Sequence, residues 1–163
     1  MERKRSSFGK VIYNEGGKIN LPEEPYHIDN TRAYYIFDII PMGAVRMTQS
    51  DKWKIDPNHI DEAKRQRKSV TQYFKFKKNL FLQAKQVGYE MGFFIDVVFL
   101  IPMPDSWSEK KKKEMNRMPC KVKPDTDNLV KAIKDTLKVN DADVWWEKAE
   151  KRWAFKGSII VYK

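Results

Sequence analysis

The run Phe93-Phe-Ile-Asp-Val-Val-Phe-Leu-Ile101 constrains this chain more than any other stretch. β-Branched and aromatic side chains follow one another until Pro102 and Pro104 close the run, the composition of a central strand. A central strand needs neighbours. Tyr34-Tyr-Ile-Phe-Asp-Ile-Ile40, ended by Pro41 and Gly43, has the same character. So do Val144-Trp-Trp and Gly157-Ser-Ile-Ile-Val-Tyr162, which read as a hairpin or as two sequential strands. From about Asp61 to Met91 the chain lacks proline, and Val70, Phe74, Phe81, Ala84, Val87 and Met91 recur near helical spacing. That predicts a long amphipathic helix with its aromatics in the core. Its basic face carries Lys64, Arg65, Arg67, Lys68, Lys75, Lys77 and Lys78 and is read as solvated.

These elements predict an α/β fold, α+β in strict usage: a mixed sheet of about four strands with two main helices packed on it. Residues 1–32 are polar, with Gly16-Gly17, Pro22 and Pro25, and are expected to form an N-terminal arm, mobile or folded as a peripheral hairpin. Residues 33–163 are expected to form one domain, since neither repeats nor a low-complexity linker divide them.

Charge narrows the partners. The 163 residues carry a formal net charge of +10, which biases the surface toward polyanions, nucleic acid first among them. The single cysteine, Cys120, cannot form an internal disulfide and is expected to be a passive thiol. Neither an apolar leader after Met1 nor a window of about 20 apolar residues is seen, so the expected setting is cytoplasmic with no membrane partner.

The chemistry gathers at Lys123-Pro-Asp-Thr-Asp-Asn-Leu-Val-Lys-Ala-Ile-Lys-Asp135. Pro124 cannot continue a preceding helix and Asp125, Asp127 and Asn128 favour helix entrances, so a helix is expected to start near Asp127 with that residue as its cap. At about 100° per residue, Leu129, Val130, Ile133 and Leu137 share one face while Asp127, Lys131 and Asp135 stack on the other. Capping accounts for one aspartate and an i, i+4 pair for Lys131. Asp125 is left over. With Asp141 and Asp143 beyond the same helix, several hard oxygen ligands could converge if the chain folds back, a set suited to Mg²⁺ or Mn²⁺ and not to zinc. The basic run Lys110, Lys111, Lys112, Lys113 and Arg117, a loop or short helix, leads directly into this acidic segment. It would offset the repulsion between aspartates and a polyanion.

The segment Lys123-Pro-Asp125-Thr-Asp127-Asn128-Leu-Val-Lys131-Ala-Ile-Lys-Asp135-Thr-Leu137 resembles the diagnostic pattern of the RusA family of Holliday-junction resolvases, K-P-D-x-D-N-L-x-K-x-x-x-D-x-L. Asn140-Asp-Ala-Asp-Val144, then Lys151-Arg-Trp153, then Gly157 and a terminal strand follow in that family's order. The resemblance spans roughly residues 33 to 163. It implies a dimeric, Mg²⁺-dependent endodeoxyribonuclease, with Mn²⁺ able to substitute, that resolves four-way DNA junctions by paired nicks in recombination and repair. It also implies a bacterial, phage or prophage setting.

Carried over by position, Asp125, Asp127 and Asp141 match the metal-binding carboxylates and Lys131 the catalytic lysine, with Asn128, Asp135 and Lys151 in support. Asp143 is the fallback for Asp141, because Asn140 stands where the family usually has a first aspartate and the connection after Asp135 is shorter than usual. Lys110, Lys111, Lys112, Lys113, Arg117 and Arg46 are the candidate DNA contacts, while Trp145, Trp146 and Trp153 are given no site role. Three rivals stand beside this reading: a catalytically degenerate junction-binding protein, a plain basic interaction domain, and a nuclease preferring flaps or forks.

Overall fold

The computed structural model describes residues 10–12, 32–53 and 67–163. Most of the N-terminal arm and the expected helix start between Asp61 and Gln66, with Lys64 and Arg65, lie outside the described residues. In chain order the elements are β1 (Lys10–Ile12), β2 (Tyr34–Phe37), α1 (Gln49–Trp53), α2 (Lys68–Val87), β3 (Phe94–Pro102), α3 (Glu109–Met115), α4 (Thr126–Leu137), a 3₁₀ turn (Asp141–Asp143), β4 (Trp146–Ala154) and β5 (Ser158–Tyr162). Among the described residues no helix is long and apolar enough to cross a membrane.

The sheet order is β1-β2-β5-β3-β4, so the four strands read from the sequence are joined by a fifth from the arm. Lys10–Ile12 pairs antiparallel with β2 at one edge. As expected, β3 is interior: β5 runs antiparallel on one side, pairing Val97 with Val161, and β4 runs parallel on the other, pairing Phe94 with Trp146 and Pro102 with Ala154. β4 and β5 are therefore sequential strands flanking β3 and not a hairpin. A parallel pair cannot be joined by a tight turn, and the connection from β3 to β4 carries both α3 and α4.

The two periodicities decide the layers. Alternate residues Ile95, Val97 and Phe99 face the helices with Tyr35, Phe37, Ile159 and Val161. On α2, Tyr73, Phe76, Leu80 and Ala84 meet them, and on α4 Leu129, Val130, Ala132 and Ile133 do so. Truncating a buried side chain such as Ile133 to alanine in a core like this costs about 2–5 kcal/mol. The α2 stripe is rotated from the sequence expectation: Phe81 is exposed, with the Lys85 ammonium 5.1 Å from its ring centre, and Tyr73 and Phe76 take the buried places assigned to Phe74 and Phe81. Both stripes satisfy the i, i+3, i+4 rule, and the one matching the sheet is the one buried. α2 ends where Gly88 adopts a left-handed conformation, φ 66°, that lets its N–H cap Lys85 and Ala84.

β2 stops at Phe37, short of the expected Ile40. Gln83 of α2 takes over there, its Oε1 accepting from the Asp38 N–H at 2.8 Å and its Nε2 donating to the Asp38 carbonyl at 3.2 Å. A buried polar residue on α2 thus fixes where the chain leaves the sheet and turns toward α4.

Candidate active site

α4 begins one step earlier than expected. Asp125, not Asp127, occupies the N-cap, with extended backbone (φ −68°, ψ 154°), and its carbonyl accepts the first helical bond from Leu129 N at 3.1 Å. Its carboxylate makes no capping hydrogen bond. Asp127 lies in the first turn, and Lys131 one turn further along the same side. All three side chains are exposed. Two carboxylates and an ammonium are thereby held at the entrance of a rigid helix, and among the described residues none of the three has a hydrogen-bond or ion-pair partner.

The frame around that entrance comes from three other elements. From β4, the Lys151 ammonium donates to the backbone carbonyls of Val122 and of Pro124, the latter at 2.7 Å. Lys151 thereby fixes the two peptide carbonyls just ahead of Asp125. From the loop after β2, Ala44 N donates to the Asn128 carbonyl at 3.0 Å. Gly43 approaches so closely that a Cβ there would lie 2.6 Å from Asn128 Nδ2 and 2.8 Å from Pro124 Cβ. Asn128, read as supporting, is thus a docking point for this loop.

The far end of the loop is tied down independently. Asp51 accepts from the Thr48 N–H and hydroxyl, both at 2.8 Å, while Asp51 N donates back to the Thr48 hydroxyl, a reciprocal cap on the short α1. Arg67 donates to both Asp51 oxygens, at 3.2 and 2.5 Å, and to the Arg46 carbonyl at 3.0 Å. The Arg67 guanidinium, followed by the Thr48 backbone and hydroxyl donors, holds the Asp51 carboxyl well below the usual carboxylate range. Arg46 itself is exposed on this clamped loop. Sequence reasoning missed Gly43, Asp51 and Arg67. The Thr48-x-x-Asp51 spacing was the available signal, since a hydroxyl followed three residues later by an acid is how a capping box is written.

Asp135 serves packing. Its carboxylate accepts from the Tyr73 hydroxyl at 3.1 Å, joining α4 to α2, and burial followed by the Asp135 charge pushes the Tyr73 phenol well above its usual range. The basic run forms α3, capped by Ser108, whose hydroxyl accepts from Lys111 N. Lys111 covers the Trp107 ring at 4.2 Å and Lys112 pairs with Glu109 at 3.5 Å, whereas Lys110, Lys113 and Arg117 are exposed. Residues 117–120 then lie along the outer edge of β4, with Cys120 N on the Lys151 carbonyl. Cys120 is buried with Met103 and Trp153, which agrees with a passive thiol.

Asp141 and Asp143 are elsewhere. Their 3₁₀ turn follows the C-terminal end of α4, where Lys134 pairs with Glu147 at 3.2 Å and Trp145 N bonds the Phe93 carbonyl at 3.0 Å. α4 has 12 residues, about 18 Å of helix, and runs antiparallel to β4, so the turn and Asp125 belong to opposite ends of the molecule's helix layer. The fold-back expected from the sequence is not made within the chain. Asn140 shapes that turn: its Oδ1 accepts from Ala142 N at 3.3 Å and its carbonyl from Asp143 N at 3.0 Å, contacts that an aspartate would make equally well.

The family model described as Endodeoxyribonuclease RusA matches residues 43–162 of the 163. The chain belongs to the RusA endodeoxyribonuclease family. No curated protein matches it. The matched span begins at Gly43, the residue pressed against Asn128, and takes in α4, β4 and β5. A divalent metal is what this family's chemistry asks for, and the donor set can be tested against it. Among the described residues no group of three or more His, Cys, Asp and Glu stands together. Asp125 and Asp127 are two positions apart at the α4 entrance and both exposed, and Mg²⁺ is commonly held by one or two carboxylates with water and substrate phosphate filling the remaining positions. Asp125 and Asp127 fit that pattern.

Proposed function

We propose that this RusA-family protein is a divalent-metal-dependent endodeoxyribonuclease that cuts four-way DNA junctions by paired symmetric nicks, working as a homodimer in a bacterial or phage-encoded setting. The domain carrying this activity would be residues 33–163, with residues 1–32 as an appended arm. The observation that carries the reading is the frame at the α4 entrance: Lys151 and the Gly43–Ala44 loop hold the backbone at Pro124 and Asn128, on either side of Asp125 and Asp127, and both carboxylates are exposed with no partner among the described residues. Carboxylates kept free at such an organised position are there for something from solution.

Asp125 and Asp127 would hold Mg²⁺, with Asp141 as the third carboxylate. When bound, that ion supplies Lewis-acid polarisation of a phosphate and a water acidic enough to ionise near neutral pH. The protein's own part is positioning and charge. Lys131, one turn beyond Asp127, presents an ammonium where negative charge grows on the phosphate oxygens, so its contribution falls in the transition state. Lys110, Lys113, Arg117 and Arg46 would hold flanking phosphates and supply the salt-dependent part of binding. Two cuts on strands of like polarity call for two such sites related by a two-fold axis.

The test is cleavage of a labelled four-way junction beside matched duplex and fork, in Mg²⁺, Mn²⁺ or EDTA, with wild type, Asp127→Asn and Lys131→Ala. Paired nicks should vanish in EDTA and in Asp127→Asn. Lys131→Ala should lose roughly 100- to 1,000-fold in turnover with binding retained. Tight junction binding with no nick under any metal would instead favour a degenerate junction binder, a reading that the separation of Asp141 from Asp125 keeps in view. Faster cutting of forks than of junctions would reassign the substrate.

A further inference from the structure

The α2 sequence carries two apolar stripes, and the sheet buries one of them. Tyr73, Phe76, Leu80 and Ala84 pack inward. Phe74, Lys78, Phe81, Leu82 and Lys85 stand at i, i+4, i+7, i+8 and i+11, the spacing of a second face on the same helix. Leu82 lies about 200° around the helix from Leu80 and so faces away from the sheet. It is 47 % exposed and its neighbour Phe81 37 %, with Phe74 half-buried two turns earlier. Single exposed apolar residues are ordinary, whereas an aromatic and an aliphatic side chain together on one helix face make a patch.

The charges around that patch are all of one sign. α2 holds Lys68, Lys75, Lys77, Lys78 and Lys85 and neither Asp nor Glu over its 20 residues. A solvated helix face gains from carboxylate–ammonium pairs at i, i+4, and this helix forgoes them. Lys78 stands one turn before Phe81 and Leu82 and Lys85 one turn after, with the Lys85 ammonium 5.1 Å from the Phe81 ring centre. Among the described residues neither Lys78 nor Lys85 has a carboxylate partner.

We propose that this outward face of α2 is a docking surface for an acidic amphipathic helix of a partner protein, whose apolar side chains cover Phe81 and Leu82 and whose carboxylates meet Lys78 and Lys85. Shape and charge together choose this occupant. Phe74, Lys78 and Leu82 form an i, i+4, i+8 ridge, the row that a second helix packs against, and anchors at such spacing are how an amphipathic helix is recognised. Duplex DNA would meet the lysines with its phosphates, but its charged backbone has little to set against Leu82 and Phe81. A second copy of this chain is disfavoured too, since α2 against α2 opposes lysine with lysine and neither helix supplies a carboxylate. An acidic helix satisfies both halves of the face: burial of the apolar pair gives affinity, and the lysines give orientation and a salt-dependent association rate. None of these residues belongs to the frame around Asp125 and Asp127, so docking is separable from the nuclease reading.

The probe is a synthetic helix-forming peptide of about 18 residues, leucine on one face and glutamate on the other, titrated against the full chain by fluorescence anisotropy. Its analogue with lysine in place of glutamate is the charge control. The acidic peptide should bind saturably and the lysine analogue should not. Leu82→Ser, and separately Lys78→Glu with Lys85→Glu, should each weaken binding about 10-fold or more, while Lys138→Glu with Lys163→Glu, the same change in net charge elsewhere, should leave it as it was. Leu82→Ser should keep the wild-type urea midpoint, because that side chain faces away from the core, and its junction cleavage should match wild type. Absence of saturable binding, or binding that Leu82→Ser retains in full, would overturn the docking surface. So would an equal loss in the Lys138→Glu, Lys163→Glu protein, which would reduce the interaction to net charge. Two further titrations cover the rival occupants: a matched DNA duplex, and vesicles of phosphatidylcholine with phosphatidylglycerol. If Lys78→Glu with Lys85→Glu weakens binding to either while peptide binding is unmoved, the face belongs to nucleic acid or to a membrane surface and the protein partner is excluded.

Discussion

The two ends of α4 are built on different principles. At the N-terminal end the backbone is over-determined: an ammonium from β4, a glycine from the loop after β2 and a peptide bond from Ala44 all converge on residues 122–128. The side chains that this rigidity presents, Asp125, Asp127 and Lys131, are exposed and have no partner among the described residues. At the C-terminal end the constraint is local. Lys138 adopts a left-handed cap, φ 57°, Asn140 shapes a turn within its own segment, and exposed tryptophan follows. An end held by distant elements can present reactive groups in fixed geometry, because its own side chains are not needed for holding. An end held by its own side chains is free to meet something else.

Lys151→Met should break this contrast most severely. It leaves the Val122 and Pro124 carbonyls without their cationic donor in a half-buried position, and hydrogen bonds from a charged donor are worth about 1.5–3 kcal/mol. A urea midpoint lowered by an amount in that range, with a fall in junction cleavage larger than the fall in junction binding, would mark Lys151 as positioning the aspartates. An equal loss in binding and turnover would mean that it contacts DNA instead.

Gly43→Ala should act next. The added Cβ meets the Pro124 ring, which cannot swing aside, and Asn128 Nδ2, which can. The loop should shift by a few tenths of an ångström or more, with a stability cost of about 1–3 kcal/mol. Cleavage should fall while the circular dichroism spectrum is kept. Unchanged cleavage would show that Asp125 and Asp127 tolerate movement of their neighbour and that the close approach is packing alone.

How much of this was open to sequence reasoning follows the same division. β3, α4 and the apolar face of Leu129, Val130 and Ile133 were legible, because periodicity and breaker residues are local signals. The acidic motif was legible too, since it is one continuous stretch. The frame around it was legible only at the Thr48-x-x-Asp51 spacing: Gly43 and Arg67 act across larger sequence separations, and an isolated glycine or arginine carries no mark of what it will touch. The rotated face of α2 failed for a related reason. Tyr73, Phe74, Phe76, Leu80 and Phe81 allow two overlapping stripes, and the choice between them is made by the sheet, not the helix. That Asp141 and Asp143 follow the C-terminal end of α4, away from Asp125 within one chain, had no local signal, because the direction of α4 along β4 is a tertiary fact.

The smallest effect belongs to the outermost tie. Asp51 has its carboxyl depressed chiefly by its hydrogen bonds from Arg67 and from Thr48. A group whose acidity is raised on folding adds stability that is fully present above its unfolded value, about 3.9, and is lost as the pH falls toward its folded one. Asp51→Asn should therefore lower the urea midpoint by a constant amount between pH 7 and about pH 5, and the gap to wild type should narrow below about pH 4. Its effect on cleavage at neutral pH should be weaker than that of Gly43→Ala, since Ala44 and Gly43 still dock the loop at Asn128 when the Arg46 end is loosened. A cleavage loss as deep as that of Lys151→Met would change the ranking: it would place Arg46, whose carbonyl Arg67 also holds, among the groups whose position the reaction requires.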